Sequence, residues 1–349
     1  MISNFFQLSP KKRAFLTGTL LLTGTGFLCR ILGFFYRIFM SRTIGAEGLG
    51  IYNMVHPVFG ICFAVCAGSI QTALSQHVAS NQRKGRAVFH AGLIISLSLS
   101  VLMALTICKF SSLIATRLLL EPRCEPYLFI MALSVPFAAL HACINGFYYG
   151  MQKSRVPAFS QVAEQIIRMG AVYGIVQMFQ NQGKEITVSL AVYGHLIGEV
   201  ASAAFTLFSL FICPPTQEAL PLEPAGEYTI IKKEVPSSPS FFQTNALPLI
   251  TLALPLMGNR LVLNLLGSAE AIWIPNRLTA YGLSSSEAFS IYGVLTGMAL
   301  PAGVKQGNKK TEDAVPSPVF YNRLLFCTYY NKSAAIHIHL PGGVVHTSR

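Results

Sequence analysis

A chain of 349 residues with 52% hydrophobic and only 11% charged residues lacks the polar groups of a soluble domain, in which about 25% of residues are charged. Its apolar residues form blocks, several longer than the ~18 needed to cross a bilayer, so an integral membrane protein is expected. The net charge of +12 would suit nucleic-acid binding, but Lys and Arg cluster in short connectors between apolar blocks, the pattern that sets membrane orientation. No nucleic-acid partner is therefore expected.

In chain order, Lys11, Lys12 and Arg13 precede a first span over 14–39, too long an apolar stretch for a cleavable signal peptide. The glycine-punctuated turn Gly45-Ala-Glu-Gly-Leu-Gly50 leads to a second span over 51–78. After Asn81-Gln-Arg-Lys-Gly-Arg86 comes a third over 87–108, and Glu121-Pro-Arg-Cys-Glu125 separates it from a fourth over 126–150. The fifth covers 158–179 and the sixth 187–212. Residues 213–245 are too proline-rich for a helix and read as a cytoplasmic linker. A seventh span starts at 246, and Ser284-Ser-Ser286 caps an eighth, whose apolar character fades after Pro301. The fold class is thus all-α, with a six-helix N-terminal lobe over 1–212 and the first helices of an incomplete second lobe over 246–301. The polar text of 302–349 reads as disordered or out of frame.

With the N-terminus inside, Lys11, Lys12, Arg13, Arg83, Lys84, Arg86, Lys153, Arg155, Lys232 and Lys233 are cytoplasmic. They outnumber Arg42, Lys109, Arg117, Arg123 and Lys184 on the other side, where Glu47, Glu121, Glu125 and Glu185 dilute the charge. A bacterial plasma-membrane protein with a cytoplasmic N-terminus is expected. A weak internal echo joins Arg30-Ile-Leu-Gly33 to Asn264-Leu-Leu-Gly267 and Ile51-Tyr-Asn53 to Ile291-Tyr-Gly293. An even number of spans separates the copies, so they would share orientation, as in parallel transporter repeats. The eight cysteines mostly lie in apolar stretches without CxxC spacing and read as packing residues.

A charge at membrane depth costs at least ~2.5–3.5 kcal/mol on insertion scales, so it normally faces a cavity or a partner. Arg30 and Arg37, seven apart in the first span, fall on nearly one helix face, with Gly26 and Gly33 on or beside it. Arg260 in the seventh span has Asn259 and Asn264 nearby. Such guanidinium forks suit phosphate oxygens in a cationic cavity; the alternative is that Arg37 snorkels to headgroups. Glu164 and Arg168, and His195 and Glu199, are each four apart and able to pair locally, or to form a proton or ion relay. His56, His77 and His141 read as isolated, and no metal site is expected.

Asp313 is the one aspartate among 14 acidic residues, which leaves no aspartate-based transferase metal site. GxxxxGK[ST], GxSxG and HExxH are absent from the sequence. Neither enzyme activity nor a cofactor is expected, and transport would draw on an existing gradient. The membrane potential supplies ~2.3 kcal/mol per charge per 100 mV.

Phe27-Leu-Cys-Arg-Ile-Leu-Gly33 through Arg42-Thr-Ile-Gly-Ala-Glu-Gly-Leu-Gly-Ile-Tyr52 resembles the opening of polysaccharide and lipid-linked oligosaccharide flippases of the MOP exporter superfamily, in the stage V sporulation protein B-like branch. Asn259-Arg-Leu-Val-Leu-Asn-Leu-Leu-Gly267, Arg277-Leu-Thr-Ala-Tyr-Gly-Leu-Ser-Ser-Ser-Glu-Ala288 and Leu295-Thr-Gly-Met-Ala-Leu-Pro301 extend the resemblance. It implies two six-helix lobes, alternating access, and a polyprenyl-pyrophosphate-linked saccharide or peptidoglycan precursor flipped outward for cell-wall, spore-cortex or polysaccharide assembly. It further implies Arg30, Arg37 and Arg260 as cavity arginines, with the bilayer and cell-wall synthesis enzymes as partners. Such flippases have twelve to fourteen spans, so this chain reads as truncated or frameshifted. Competing readings are a multidrug or organic-cation exporter, which would favour acidic cavity residues; a membrane polymerase or ligase, which would need a large outer loop; and a nonfunctional fragment.

Overall fold

The computed structural model describes residues 10–183, 186–215 and 241–299; the tail over 302–349 and most of the proline-rich stretch lie outside these. Eight helices carry the described fold: α1 (Pro10–Phe63), α2 (Ser69–Ser80), α3 (Gly85–Leu113), α4 (Glu125–Gly150), α5 (Arg155–Asn181), α6 (Ser189–Ile212), α7 (Phe241–Ala280) and α8 (Ser285–Val294). No strand occurs among the described residues. This is an all-α, multi-pass membrane protein.

The first two passes are two helices that follow each other without a loop, broken at Gly45. Leu16–Ser80 is 65 residues of apolar helix, about three times the hydrocarbon thickness at ~1.5 Å per residue. The chain turns between the passes at Gly45, whose φ of 78° and ψ of 170° are non-helical and fall where a side chain is strained. Four further stretches are long and apolar enough to cross a bilayer: Gly85–Leu118, Pro122–Gly150, Ser189–Ile212 and Ala246–Ala280. Helix α5 is not among them, because Gln161, Glu164, Gln165 and Arg168 dilute its apolar character.

Helix α4 is the centre of the bundle. Ala132, Ala138, Ala139, Ala142 and Cys143 are buried along it, and small side chains let α-helices approach closely where lipid provides no hydrophobic drive. Around it, Val55, Cys62 and Cys66 pack with Leu128 and Val135. Leu74, Val88 and Phe89 join Phe147 and Tyr148, and α7 adds Leu249 and Ala253 to that cluster. Tyr36, Met40 and Leu49 of α1 form a third cluster with Val172 and Val176 of α5.

Two irregularities position the site. A π-helical turn, Ala64–Gly68, joins α1 to α2, a feature that leaves backbone groups without regular partners. Ser69 Oγ donates to Ala64 O at 2.7 Å, and Ser96 of α3 donates to Cys66 O. The second irregularity is the seat of α8 on α1. A Cβ at Gly50 would collide with Phe289 O, and one at Gly293 with Ala46 O, so only glycine allows the two backbones to touch. The segments bearing the Ile-Tyr echo therefore pack on each other, with Asn53 Nδ2 donating to Thr296 Oγ1 at 2.9 Å.

Candidate functional site: exposed arginines beside a buried ionic network

Arg30 and Arg37 lie on α1 and are both exposed. Each follows by one position a residue turned toward α5: Cys29 and Tyr36, which lie within electrostatic reach of Arg168. The arginines thus stand about 100° round the helix from the α5 contact. Gly26 and Gly33 beside them face open space. Arg37 is near enough to Tyr52 and His56 for its charge to act on both. Among the described residues neither arginine makes an ion pair or hydrogen bond.

Arg260 and Asn264 are half-buried on α7. The Arg260 guanidinium lies against Gly68 of the π-helical turn and donates to Thr72 Oγ1 at 3.1 Å. Asn264 Nδ2 donates to Arg260 O at 2.8 Å, and its Oδ1 sits on Gly60. Arg260 and Asn264 therefore address the glycines at and before the π-helical turn that joins α1 to α2.

Behind this face lies a buried ionic network. Glu164 and Arg168 of α5 pair at 3.2 Å, and Arg168 Cζ stands 5.9 Å from the Tyr36 ring. His195 and Glu199 make the expected i,i+4 contact, but it is the looser of two at Glu199. His195 Nε2 lies 3.8 Å from Glu199 Oε1, beyond hydrogen-bond length, while His141 Nε2 reaches Glu199 Oε2 at 2.8 Å. His141 is therefore not isolated: α4 and α6 pack face to face and bring it onto Glu199. His56 is not isolated either, since its ring lies 5.7 Å from that of His195. Sequence reasoning missed His141, Tyr36 and Thr72 as partners. The usable signal was the cost of Glu199 in an apolar span, which demands a stronger partner than a neutral imidazole one turn away. Among the described residues no group of His, Cys, Asp and Glu is arranged to hold a metal.

A second polar cluster ties one end of the bundle together. Arg123 pairs with Glu121 at 2.8 Å and with Glu47 at 2.7 Å. Its Nη2 donates to Ser285 Oγ at 3.3 Å, and Ser286 Oγ donates to Glu47 at 2.6 Å. Arg123 also stands 5.6 Å over the Phe289 ring. The break after α1's first pass, the α3–α4 connector and the start of α8 are joined there.

Helices long and apolar enough to span, packed around the largely buried Glu164, Arg168 and Glu199, define a polytopic membrane protein with a charged interior. Residues 15–283 match the family model described as polysaccharide biosynthesis protein, and the chain belongs to that family. Stage V sporulation protein B of Bacillus subtilis is 29% identical over 294 residues, covering 83% of this chain and 54% of the relative. Sporulation protein YkvU of the same organism is 22% identical over 296 residues, covering 83% and 61%. Lipid II flippase MurJ of B. subtilis is 27% identical over 201 residues, covering 52% and 37%. The chain spans roughly half the length of the curated relatives it matches.

Proposed function

We propose that this chain works as a flippase, carrying a polyprenyl-pyrophosphate-linked saccharide or peptidoglycan precursor outward across the bacterial plasma membrane by alternating access. The product would feed cell-wall, spore-cortex or polysaccharide assembly, and no bond of the substrate would be broken. The observation that carries this reading is the pair of unneutralised arginines, Arg30 and Arg37, on one open face of α1. A pyrophosphate brings several oxygens that a guanidinium can grip two at a time. Arg260 would add a third contact from α7, where its guanidinium rests on Gly68 beside Thr72. The family supports the substrate class, and the relative described as a lipid II flippase supports the transport step. With the N-terminus cytoplasmic, the Arg123 cluster closes the outer end.

The test is retention of a polyprenyl pyrophosphate by the full chain in lipid nanodiscs. The double variant R30A/R37A is expected to weaken retention by tenfold or more, since losing a charge-assisted hydrogen bond costs about 1.5–3 kcal/mol and ~1.4 kcal/mol is tenfold. R260A is expected to weaken it less, because Thr72 already occupies part of its donor set. Unchanged retention in the double variant would remove the cationic face from the mechanism. Preferential retention of an organic cation would favour the exporter reading instead.

A further inference from the structure

We infer that Glu199 and His141 form a binding site for one exchangeable proton inside the six-helix lobe, reached from the exposed side of α1 through His56 and His195. The groups that face it come from every packed element. Helix α4 gives His141, α5 gives Glu164 and Arg168, α6 gives His195 and Glu199, and α1 gives Cys29, Tyr36, Tyr52, His56 and Arg37.

Charge counting carries the argument. Glu164 and Arg168 neutralise each other at 3.2 Å. Glu199 has no second guanidinium; its close partner is the His141 imidazole at 2.8 Å, with the two side chains only 8% and 13% exposed. A bare carboxylate at that depth is costly, so the pair is neutral only with one added proton, held on either member. Without it the lobe carries an uncompensated negative charge beside Arg168. The site therefore has two states that differ by one charge, and Arg168 links them to the Tyr36 ring on α1 at 5.9 Å. Tyr36 is next to Arg37, so the helix that would hold the substrate anion also senses the proton.

Two histidines stand between this pair and the outer side of α1. His195 is buried, yet neither ring nitrogen has a hydrogen-bond partner. It lies 3.8 Å from Glu199 on one side and 5.7 Å, centroid to centroid, from His56 on the other. His56 is exposed. With water bridging the two gaps, a proton taken up by His56 can pass through His195, which accepts at one nitrogen and donates from the other, to Glu199 and His141. His56 returns to its neutral form, and the pair goes from one net negative charge to zero. Release reverses the path and returns the proton to water.

That this proton drives flipping rests on the transport reading above; that it binds does not. Both can be read separately. Difference infrared spectra of the full chain in nanodiscs without substrate should show, on lowering the pH from 8 to 5, uptake of one proton more in the wild type than in E199Q or in H141Q. The H195F variant should still take up one proton but several-fold more slowly. Full uptake in E199Q, or a wild-type chain labelled with 15N-histidine and 13C-glutamate in which neither the His141 ring nor the Glu199 carboxyl titrates, overturns the site. The labelled wild type decides the matter even where E199Q fails to fold. In vesicles with an imposed proton gradient, flipping that persists unchanged after the gradient is collapsed overturns the coupling and leaves the site intact. Absence of flipping under every gradient overturns the transport reading, and the coupling with it, while the proton count still decides the site.

Discussion

Helix α4 has 56% of its most apolar stretch buried inside the protein, whereas α7 has 11%, although both are long, apolar and interrupted by proline. The difference lies in side-chain size. Helix α4 buries alanine, cysteine and glycine and is gripped on several sides. Helix α7 turns Leu247, Leu254, Val262, Leu263 and Trp273 outward and enters the core through Leu249 and Ala253. Hydropathy places a helix in the bilayer; small residues decide whether another helix or a lipid tail lies against it. The charged side chains divide along the same line. The buried ionic network lies among the tightly packed helices α4, α5 and α6, and Arg260 belongs to the more exposed α7.

The sharpest test of this contrast is a matched pair of truncations. Leu128 on α4 is fully buried and Leu263 on α7 is 47% exposed. Leu128→Ala should cost about 2–5 kcal/mol, the range for emptying a packed core. Leu263→Ala should cost under ~0.5 kcal/mol, as for other surface positions. Thermal unfolding in detergent micelles measures both. Equal losses would mean that α7 has packed partners which its exposed surface does not reveal.

Next in size is the α1–α8 contact, where the two backbones touch at Gly50 and Gly293. Gly50→Ala forces Cβ into Phe289 O and should cost about 1–3 kcal/mol, the usual range for overpacking. Gly258→Ala, on α7 with open space around it, should be neutral or slightly stabilising by helix propensity. A smaller effect is expected at the start of α8. Ser284 Oγ accepts from Glu287 N at 3.3 Å while Ser284 N donates to Glu287 at 2.9 Å, a reciprocal cap. Ser284→Ala should cost about 1 kcal/mol, seen as earlier fraying of α8 in hydrogen exchange.

Much of this fold is legible in residue pattern alone. The helices follow the apolar blocks, and the break between the first two passes sits at Gly45, in the turn that the glycines announce. Arg30, Arg37 and Arg260 stand out because hydrocarbon rejects them. What pattern does not show is which residues meet across the bundle. His141 and Glu199 are 58 positions apart, and nothing in either span marks the α4–α6 packing that joins them. The i,i+4 rule selects His195 instead, because it counts spacing and not reach. The Ile-Tyr echo likewise signals similarity between two segments but not their contact, which depends on Gly50 and Gly293 being bare.

The smallest stability effect, and the most informative about motion, is expected at Arg123. Its side chain is 46% exposed, and its partners Glu47 and Glu121 are 33% and 10% exposed; pairs of that kind contribute roughly 0–1 kcal/mol because water and side-chain entropy offset the attraction. Arg123→Ala should therefore barely move the unfolding temperature. Yet the same guanidinium holds α1 through Glu47, touches Ser285 and covers Phe289, so its loss removes ties among three segments at once. Cys124, the next residue, is fully buried and belongs to the cluster that Phe289 completes. If the clamp keeps that end shut, Arg123→Ala should raise labelling of Cys124 by a water-soluble maleimide several-fold, read on its own peptide by mass spectrometry. Buried Cys143 serves as the internal control, since it lies in a cluster that the clamp does not touch. A rise at both cysteines would mean general loosening, and a rise at neither would mean that the Gly50–Gly293 contact closes that end alone.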